Sequence, residues 1–260
     1  MLKAILFDLD DTLLWDQKSV SEAFKATCSY AAEKYNISSE QLEDAVRKAA
    51  RELYASYDTY EFTQMIGINP FEGLWGDFGD GHLEFPKMKE LAPGYRKGAW
   101  TQGLLMMGIQ DQELGAKLAE RFPEERKKNP FVYEESLRVL DALKGKYKLG
   151  LLTNGSPELQ KTKLSITPEI APYFDEIIIS GSFGKGKPDA SIFEFALDQI
   201  GVGPDEALMI GDNLMTDILG SNRAGIKNVW INRHGKERNE VEPTYEIKHL
   251  EELYAILETV

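Results

Sequence analysis

Ala4-Ile5-Leu6-Phe7-Asp8-Leu9-Asp10-Asp11-Thr12-Leu13-Leu14 is the stretch on which the reading of this chain turns. Four consecutive apolar residues, too few for a helix and bounded by charge, predict a buried strand. The run then meets three carboxylates within four positions. A parallel strand covered on both faces can be continuously apolar, and its carboxyl end opens into the crevice where α/β folds bind ligands. Clustered carboxylates repel one another unless a cation or a proton intervenes, so Asp8 and Asp10 ask for a metal.

Outward from that strand, Ser19 to Tyr35 has helical spacing, and Ser39-Glu40 restarts a helix that runs to about Tyr57. From Met65 to Phe85 five glycines alternate with Phe71, Trp75, Phe78 and Phe85, which disfavours a long helix. Within it, Phe71 to Phe85 is expected either to form a flexible lid edge or to staple a long connection onto the helices. Helical spacing resumes from Lys87 to Met107, with an interruption expected near Pro93-Gly94, and again from Asp111 to Glu120, ending before Pro123. No strand is expected between Asp16 and Pro130.

From Phe131 the character changes. A helix over Tyr133–Lys144 precedes a strand at Leu149–Leu152 that ends in Thr153-Asn154-Gly155, and Pro157–Lys163 begins another helix. Glu176–Ser180 is a β-branched strand followed by a loop over Gly181–Gly186. Pro188 is expected to open a helix through Ile200 from its first position. Ala207–Ile210 is a strand ending in Gly211-Asp212-Asn213, and a helix through Asp217 stops at Gly225. Asn228–Ile231 is the last clear strand, and a final helix starts near Lys248. Helices alternating with apolar strands predict an α/β fold with a doubly wound parallel sheet. The strand at 4–7 has no partner nearby in sequence, so residues 1–15 and 131–260 are expected to form one core, with an all-helical domain inserted over 16–130.

At 260 residues, 42% of them hydrophobic and 28% charged, the composition is ordinary for a globular enzyme. A formal net charge of -13 argues against a nucleic-acid or anionic-membrane partner and leaves room for a small phosphorylated one. The single cysteine, Cys28, is expected to be buried and inert, and it fits a cytoplasmic address. Met1-Leu2-Lys3 runs directly into the first strand, so no signal peptide is expected. No apolar run approaches the roughly 20 residues of a membrane span.

The ends of the predicted strands collect Asp8, Asp10, Thr153, Asn154, Asp212 and Asp217, with Lys187 one loop later. In a parallel sheet these ends point one way, and together they supply a nucleophile, an acid/base, a hydroxyl, a cation and extra carboxylates. Phosphoryl transfer needs that inventory, because its catalysis is positioning plus neutralisation of charge. Each piece alone has a structural alternative: the Asp-x-Asp as a turn, Thr153-Asn154 as a helix cap, Asp217 as a solvated helix residue, Lys185 as a rival to Lys187.

Asp8-Leu9-Asp10-Asp11-Thr12, Leu152-Thr153-Asn154-Gly155, Lys187-Pro188-Asp189 and Gly211-Asp212-Asn213-Leu214-Met215-Thr216-Asp217 resemble, in order, the four motifs of the haloacid dehalogenase superfamily. The helical insertion resembles the cap that one subfamily carries after its first motif, on a Rossmann-like core. The resemblance implies that Asp8 is a nucleophile forming an aspartyl phosphate, and that Asp10 protonates the leaving alcohol and later activates water. It also implies magnesium held by Asp8, the Asp10 carbonyl and Asp212, with Asp217 orienting a water or Lys187. Thr153 and the Asn154 N–H would grip the phosphoryl oxygens and Lys187 would offset charge. The superfamily's dehalogenases lack a carboxylate at position 10, so Asp10 points to phosphorus, in a phosphatase or a phosphomutase.

If the insertion closes over the site as a cap, substrate choice lies largely in residues 16–130. Arg47, Arg51 and Arg96 are candidate anchors for a substrate carboxylate, with a surface role as the alternative. His82 and His234 lack metal-ligand partners and are expected at the surface. A large helical cap favours a small phosphomonoester. Length and the aromatic, glycine-rich insertion are also similar to a bacillar group of capped phosphatases acting on phosphoserine. A sugar phosphate, a nucleoside monophosphate and phosphoglycolate stay open beside it.

Overall fold

β1 (Ala4–Phe7) lies inside a six-stranded parallel sheet whose other strands all come from the far half of the chain. The computed structural model describes residues 1–238 and 240–259. β2 (Lys148–Thr153), β3 (Glu176–Ile179), β4 (Ala207–Gly211), β5 (Lys227–Ile231) and β6 (Tyr245–Ile247) complete the sheet in the order β3-β2-β1-β4-β5-β6. Phe7 pairs with Leu151 on one side and Ile210 on the other, so the segments leaving β1, β2 and β4 emerge together at one edge. The chain divides into two compact units, Met1–Trp15 with Phe131–Val260, and Asp16–Pro130.

The second unit is all helical: α1 (Asp16–Tyr35), α2 (Ser39–Ala55), α3 (Tyr60–Ile66), α4 (Pro70–Gly73), α5 (Phe85–Met106) and α6 (Gln112–Lys128). Two expected breaks do not occur, because α5 runs through Pro93 and α6 runs through Pro123. An interior proline costs a helix about 3 kcal/mol. Here that cost is offset by the contacts made beyond each proline. Tyr95, Ala99 and Trp100 are buried past Pro93, and Arg126 past Pro123 pairs with Asp16 at 2.7 Å. In the aromatic segment Trp75, Phe78 and Phe85 are buried in this unit and Phe71 packs edge-on against Phe24, as a staple onto the helices requires, while Gly81, His82, Leu83 and Glu84 are exposed. Arg47 pairs with Glu43 at 2.8 Å and lies over the Phe24 ring, Arg51 lies over Phe71, and Arg96 bonds Asp77 and the Gly76 carbonyl. Cys28 is buried, and burial pushes its thiol well above the ordinary range.

In the first unit the helices are α7 (Glu134–Leu143), α8 (Pro157–Ile166), α9 (Ser180–Phe183), α10 (Ala190–Ile200), α11 (Leu219–Arg223) and α12 (Leu253–Leu257). The pleat sends Ile5 and Phe7 into one core with α7 and α12, and Ala4 and Leu6 into another with α10. Both faces of the sheet are therefore covered, as continuous apolar strands require. The stretch expected as a loop after β3 contains the single turn α9. Pro188 stands before α10 rather than opening it, since the Asp189 side chain caps the helix through Ser191 N–H at 3.0 Å. A π-helical turn over Leu214–Ile218 precedes α11. Where the chain leaves and re-enters this unit, Trp15 stacks on Tyr133 at 5.3 Å and the Arg233 guanidinium lies 3.6 Å from that ring. Arg233 also pairs with Glu135 and donates to the Thr12 carbonyl at 2.9 Å. No described helix is long and apolar enough to cross a membrane.

Candidate active site

At the carboxyl end of β1, Asp8 is fixed by its own N–H, which donates to the Ile210 carbonyl of β4 at 2.9 Å. Its Oδ1 accepts from Lys187 Nζ at 2.7 Å and its Oδ2 from the Thr12 hydroxyl at 3.2 Å. Lys187 comes from the loop between α9 and α10 and is 4% exposed. Its ammonium donates to Asp8 Oδ1 and the Leu152 carbonyl and is ion-paired with Asp217 Oδ1, each at 2.7 Å. Asp217 lies in the π-turn after β4, and its Oδ2 accepts the Asn213 N–H at 3.1 Å. Only glycine leaves it room, because a Cβ on Gly211 would stand 2.2 Å from Asp217 Oδ2. Asp212 precedes that turn, its carbonyl taking the Trp230 indole N–H at 2.8 Å and its carboxylate facing Lys236 at 3.3 Å.

Asp10 and the β2 motif form a second layer. The Asn154 side chain brackets the Lys187 backbone, donating to its carbonyl at 2.9 Å and accepting its N–H at 2.8 Å, at a Lys187–Pro188 bond that is cis. Thr153 is buried, and its hydroxyl accepts from Gln160 Nε2 at 2.6 Å. The same amide donates to Asp10 Oδ2 at 3.2 Å, and Lys163 Nζ reaches that oxygen at 2.7 Å. Gln160 and Lys163 are site residues that the sequence alone does not single out. Lys185 is turned to Asp189 at 3.3 Å. Asp11 sits in the turn after β1 with a left-handed φ of 59°. His82 and His234 are exposed.

Charge in the first layer is unbalanced. Carboxylate oxygens of Asp8, Asp212 and Asp217 lie within 4.8 Å of one another, around one buried ammonium. Burial pushes the Asp8 carboxyl up to about 6, with Lys187 pulling it down and Asp217 adding to the rise. Burial and the neighbouring Asp8 charge push Asp212 up to about 6 as well, against Lys236. Asp217 is raised by burial, with Lys187 opposing. For Lys187, burial favours the neutral amine, but Asp217 and Asp8 outweigh it and hold the ammonium above its ordinary value. An all-oxygen donor set with excess negative charge suits a hard divalent cation. Such a cation would lower all three carboxyls and remove their mutual repulsion.

Comparison with known proteins places the chain in a family. Residues 2–225 match the haloacid dehalogenase-like hydrolase family. A phosphoserine phosphatase of Thermus thermophilus is 33% identical over 254 residues, 97% of this chain and 98% of that one. The structure of a HAD phosphatase from Thermococcus onnurineus is 28% identical, covers 98% of each chain and superposes with a TM-score of 0.59. A putative HAD-hydrolase, YfnB of Bacillus subtilis, bound to magnesium, shares the fold with a TM-score of 0.68, at 24% identity and 98% coverage of both chains. Six parallel strands in this order, an acidic pair after the first and a family match over most of the length lead to one conclusion: the chain belongs to the haloacid dehalogenase-like hydrolases.

Proposed function

We propose that this hydrolase is a magnesium-dependent phosphatase that cleaves a small phosphomonoester through an aspartyl phosphate on Asp8. The observation that carries the reading is the convergence of the Asp8, Asp212 and Asp217 carboxylates within 4.8 Å of one another, two of them on the buried ammonium of Lys187, an arrangement suited to a dianionic ester and a divalent cation. Magnesium would be held by the Asp8 carboxylate, the Asp10 main-chain carbonyl and the Asp212 side chain; when bound, it neutralises charge on the phosphoryl oxygens. Asp217 keeps Lys187 aimed at Asp8.

In the first half-reaction an Asp8 carboxylate oxygen attacks phosphorus, the P–O bond to the alcohol breaks, and Asp10 delivers a proton to the departing oxygen. In the second, Asp10 takes a proton from water, the water oxygen bonds to phosphorus, and the bond between Asp8 and phosphorus breaks to release phosphate. Thr153 and the Asn154 N–H hold the phosphoryl oxygens, and Lys187 offsets the charge that develops between nucleophile and phosphate.

Phosphoserine is the substrate we favour, supported by the Thermus phosphatase that matches nearly end to end. Residues 16–130 act as the cap that selects it, and residues 1–15 with 131–260 act as the catalytic core. The test is release of inorganic phosphate from a broad metabolite panel with magnesium present. The panel includes phosphoserine, sugar phosphates, nucleoside monophosphates and phosphoglycolate. Phosphoserine turned over best is the expected result. Isomerised product with little free phosphate would instead identify a phosphomutase. Full activity of Asp8→Ala, or in excess chelator, would overturn the mechanism.

A further inference from the structure

Two buried polar side chains have no part in the chemistry just described. Gln160 is 0% and Lys163 3% exposed, one helical turn apart on α8, beyond the Ser156 cap. Burying an ammonium and a primary amide is costly unless each is matched. Their nitrogens share one acceptor: Lys163 Nζ lies 2.7 Å and Gln160 Nε2 3.2 Å from Asp10 Oδ2. Gln160 Nε2 also reaches Thr153 Oγ1 at 2.6 Å and the Asn154 carbonyl at 2.8 Å. Asp10 itself lies past the end of β1, and the residue after it has a left-handed backbone, so an anchor on a rigid helix supplies order that the turn does not.

We propose that Lys163 and Gln160 are positioning residues for Asp10. They hold Oδ2 from α8, arrest the side chain's rotation, and keep the carboxyl aimed at the leaving oxygen. Through Gln160, that aim is tied to Thr153 and Asn154, so the acid/base and the phosphoryl grip share one scaffold. The inference rests on the reading of Asp10 as acid/base.

The test compares two esters with the magnesium-loaded enzyme: p-nitrophenyl phosphate, whose leaving group needs little protonation, and the best alkyl phosphomonoester of the panel. Asp10→Asn is expected to lower kcat/KM for the alkyl ester on the order of a hundredfold or more, and the aryl ester far less. Lys163→Met is expected to repeat that pattern at roughly tenfold on the alkyl ester, with inhibition by inorganic phosphate unchanged. Lys163→Arg should recover part of the loss, and Lys163→Met should add nothing in an Asp10→Asn background. Equal losses on both esters, as misfolding or a merely structural lysine would give, overturn the inference. An alkyl-to-aryl ratio unchanged by Asp10→Asn would instead sink the acid/base role itself. Gln160→Leu removes the second donor to Oδ2 and is read the same way if Lys163→Met does not fold; an unchanged ratio there also overturns the proposal.

Discussion

Both units bury charge, but they do so on different terms. In the helical unit Arg126 is 2% exposed, pairs with Asp16 at 2.7 Å, hydrogen-bonds Ser19 and lies over the Trp75 ring at 4.6 Å. Glu125 beside it has both Arg121 and Lys128 within 3.5 Å. Positive and negative are matched there, and the result is a clamp between the first and last helices of the unit. In the α/β unit Asp8 and Asp217 share the buried Lys187, while Asp212, with a carboxylate oxygen within 4.8 Å of both, pairs with the half-exposed Lys236 at the rim. Matched burial stabilises a fold, whereas unmatched burial leaves a demand that a ligand must meet.

The largest expected effect tests the unmatched side. Asp8→Asn should lower turnover on the order of 10⁴-fold or more while leaving the fold intact, as circular dichroism would check. Residual activity within tenfold of wild type would break the contrast. On the matched side, Arg126→Met should cost about 3–5 kcal/mol of stability, because it removes a buried guanidinium that ties Asp16, Ser19 and the Trp75 ring together. Denaturant unfolding reads this directly, and a loss below 1 kcal/mol would remove the distinction.

A third expectation concerns pH. Asp8 and Asp212 ordinarily titrate at 3.8, and in the folded chain at about 6, so the folded state holds those protons more tightly. Stability of the metal-free protein from this source is therefore fully present below about pH 4 and is lost as pH rises through 6, roughly 3 kcal/mol for either group acting alone. The melting temperature of chelated protein should fall over that window, and the stabilisation by added magnesium should grow over the same window. Subtracting an Asp212→Asn variant separates the cluster from carboxyls such as Asp111, held low by the Leu114 N–H, Lys34 and Tyr35. A flat difference would count against the charge imbalance. Smallest of all, Lys236→Ala should tighten magnesium binding severalfold in a calorimetric titration, since a half-exposed ammonium competes weakly for Asp212.

Much of the α/β unit is legible in the sequence because its signals are local. Ala4–Phe7, Leu149–Leu152 and Ala207–Ile210 are apolar runs that stop at polar clusters, and a parallel sheet gathers such stops at one edge. Gln160 and Lys163 are illegible there because nothing in Leu159–Leu164 marks which polar residues of a helix face inward. Only the approach of α8 to Asp10 decides that. β6 is three residues with a glutamate at its centre, too short for alternation to show. Pro93 and Pro123 mislead for a related reason: local propensity argues for a break, and packing on both sides of each proline overrules it.

The central place of β1 also bears on how the protein is made. Ala4 pairs with Lys148 and Ala207, so the strand that carries Asp8 leaves the ribosome long before either neighbour exists. Residues 16–130 are contiguous and all helical, and are expected to fold first while the sheet waits for its last strands. Amide protection acquired during refolding should then appear in α2 and α5 before β1, and the reverse order would refute this. Asp8, early in sequence, would be among the last groups to reach its folded surroundings, so that a half-synthesised chain carries no assembled carboxylate cluster.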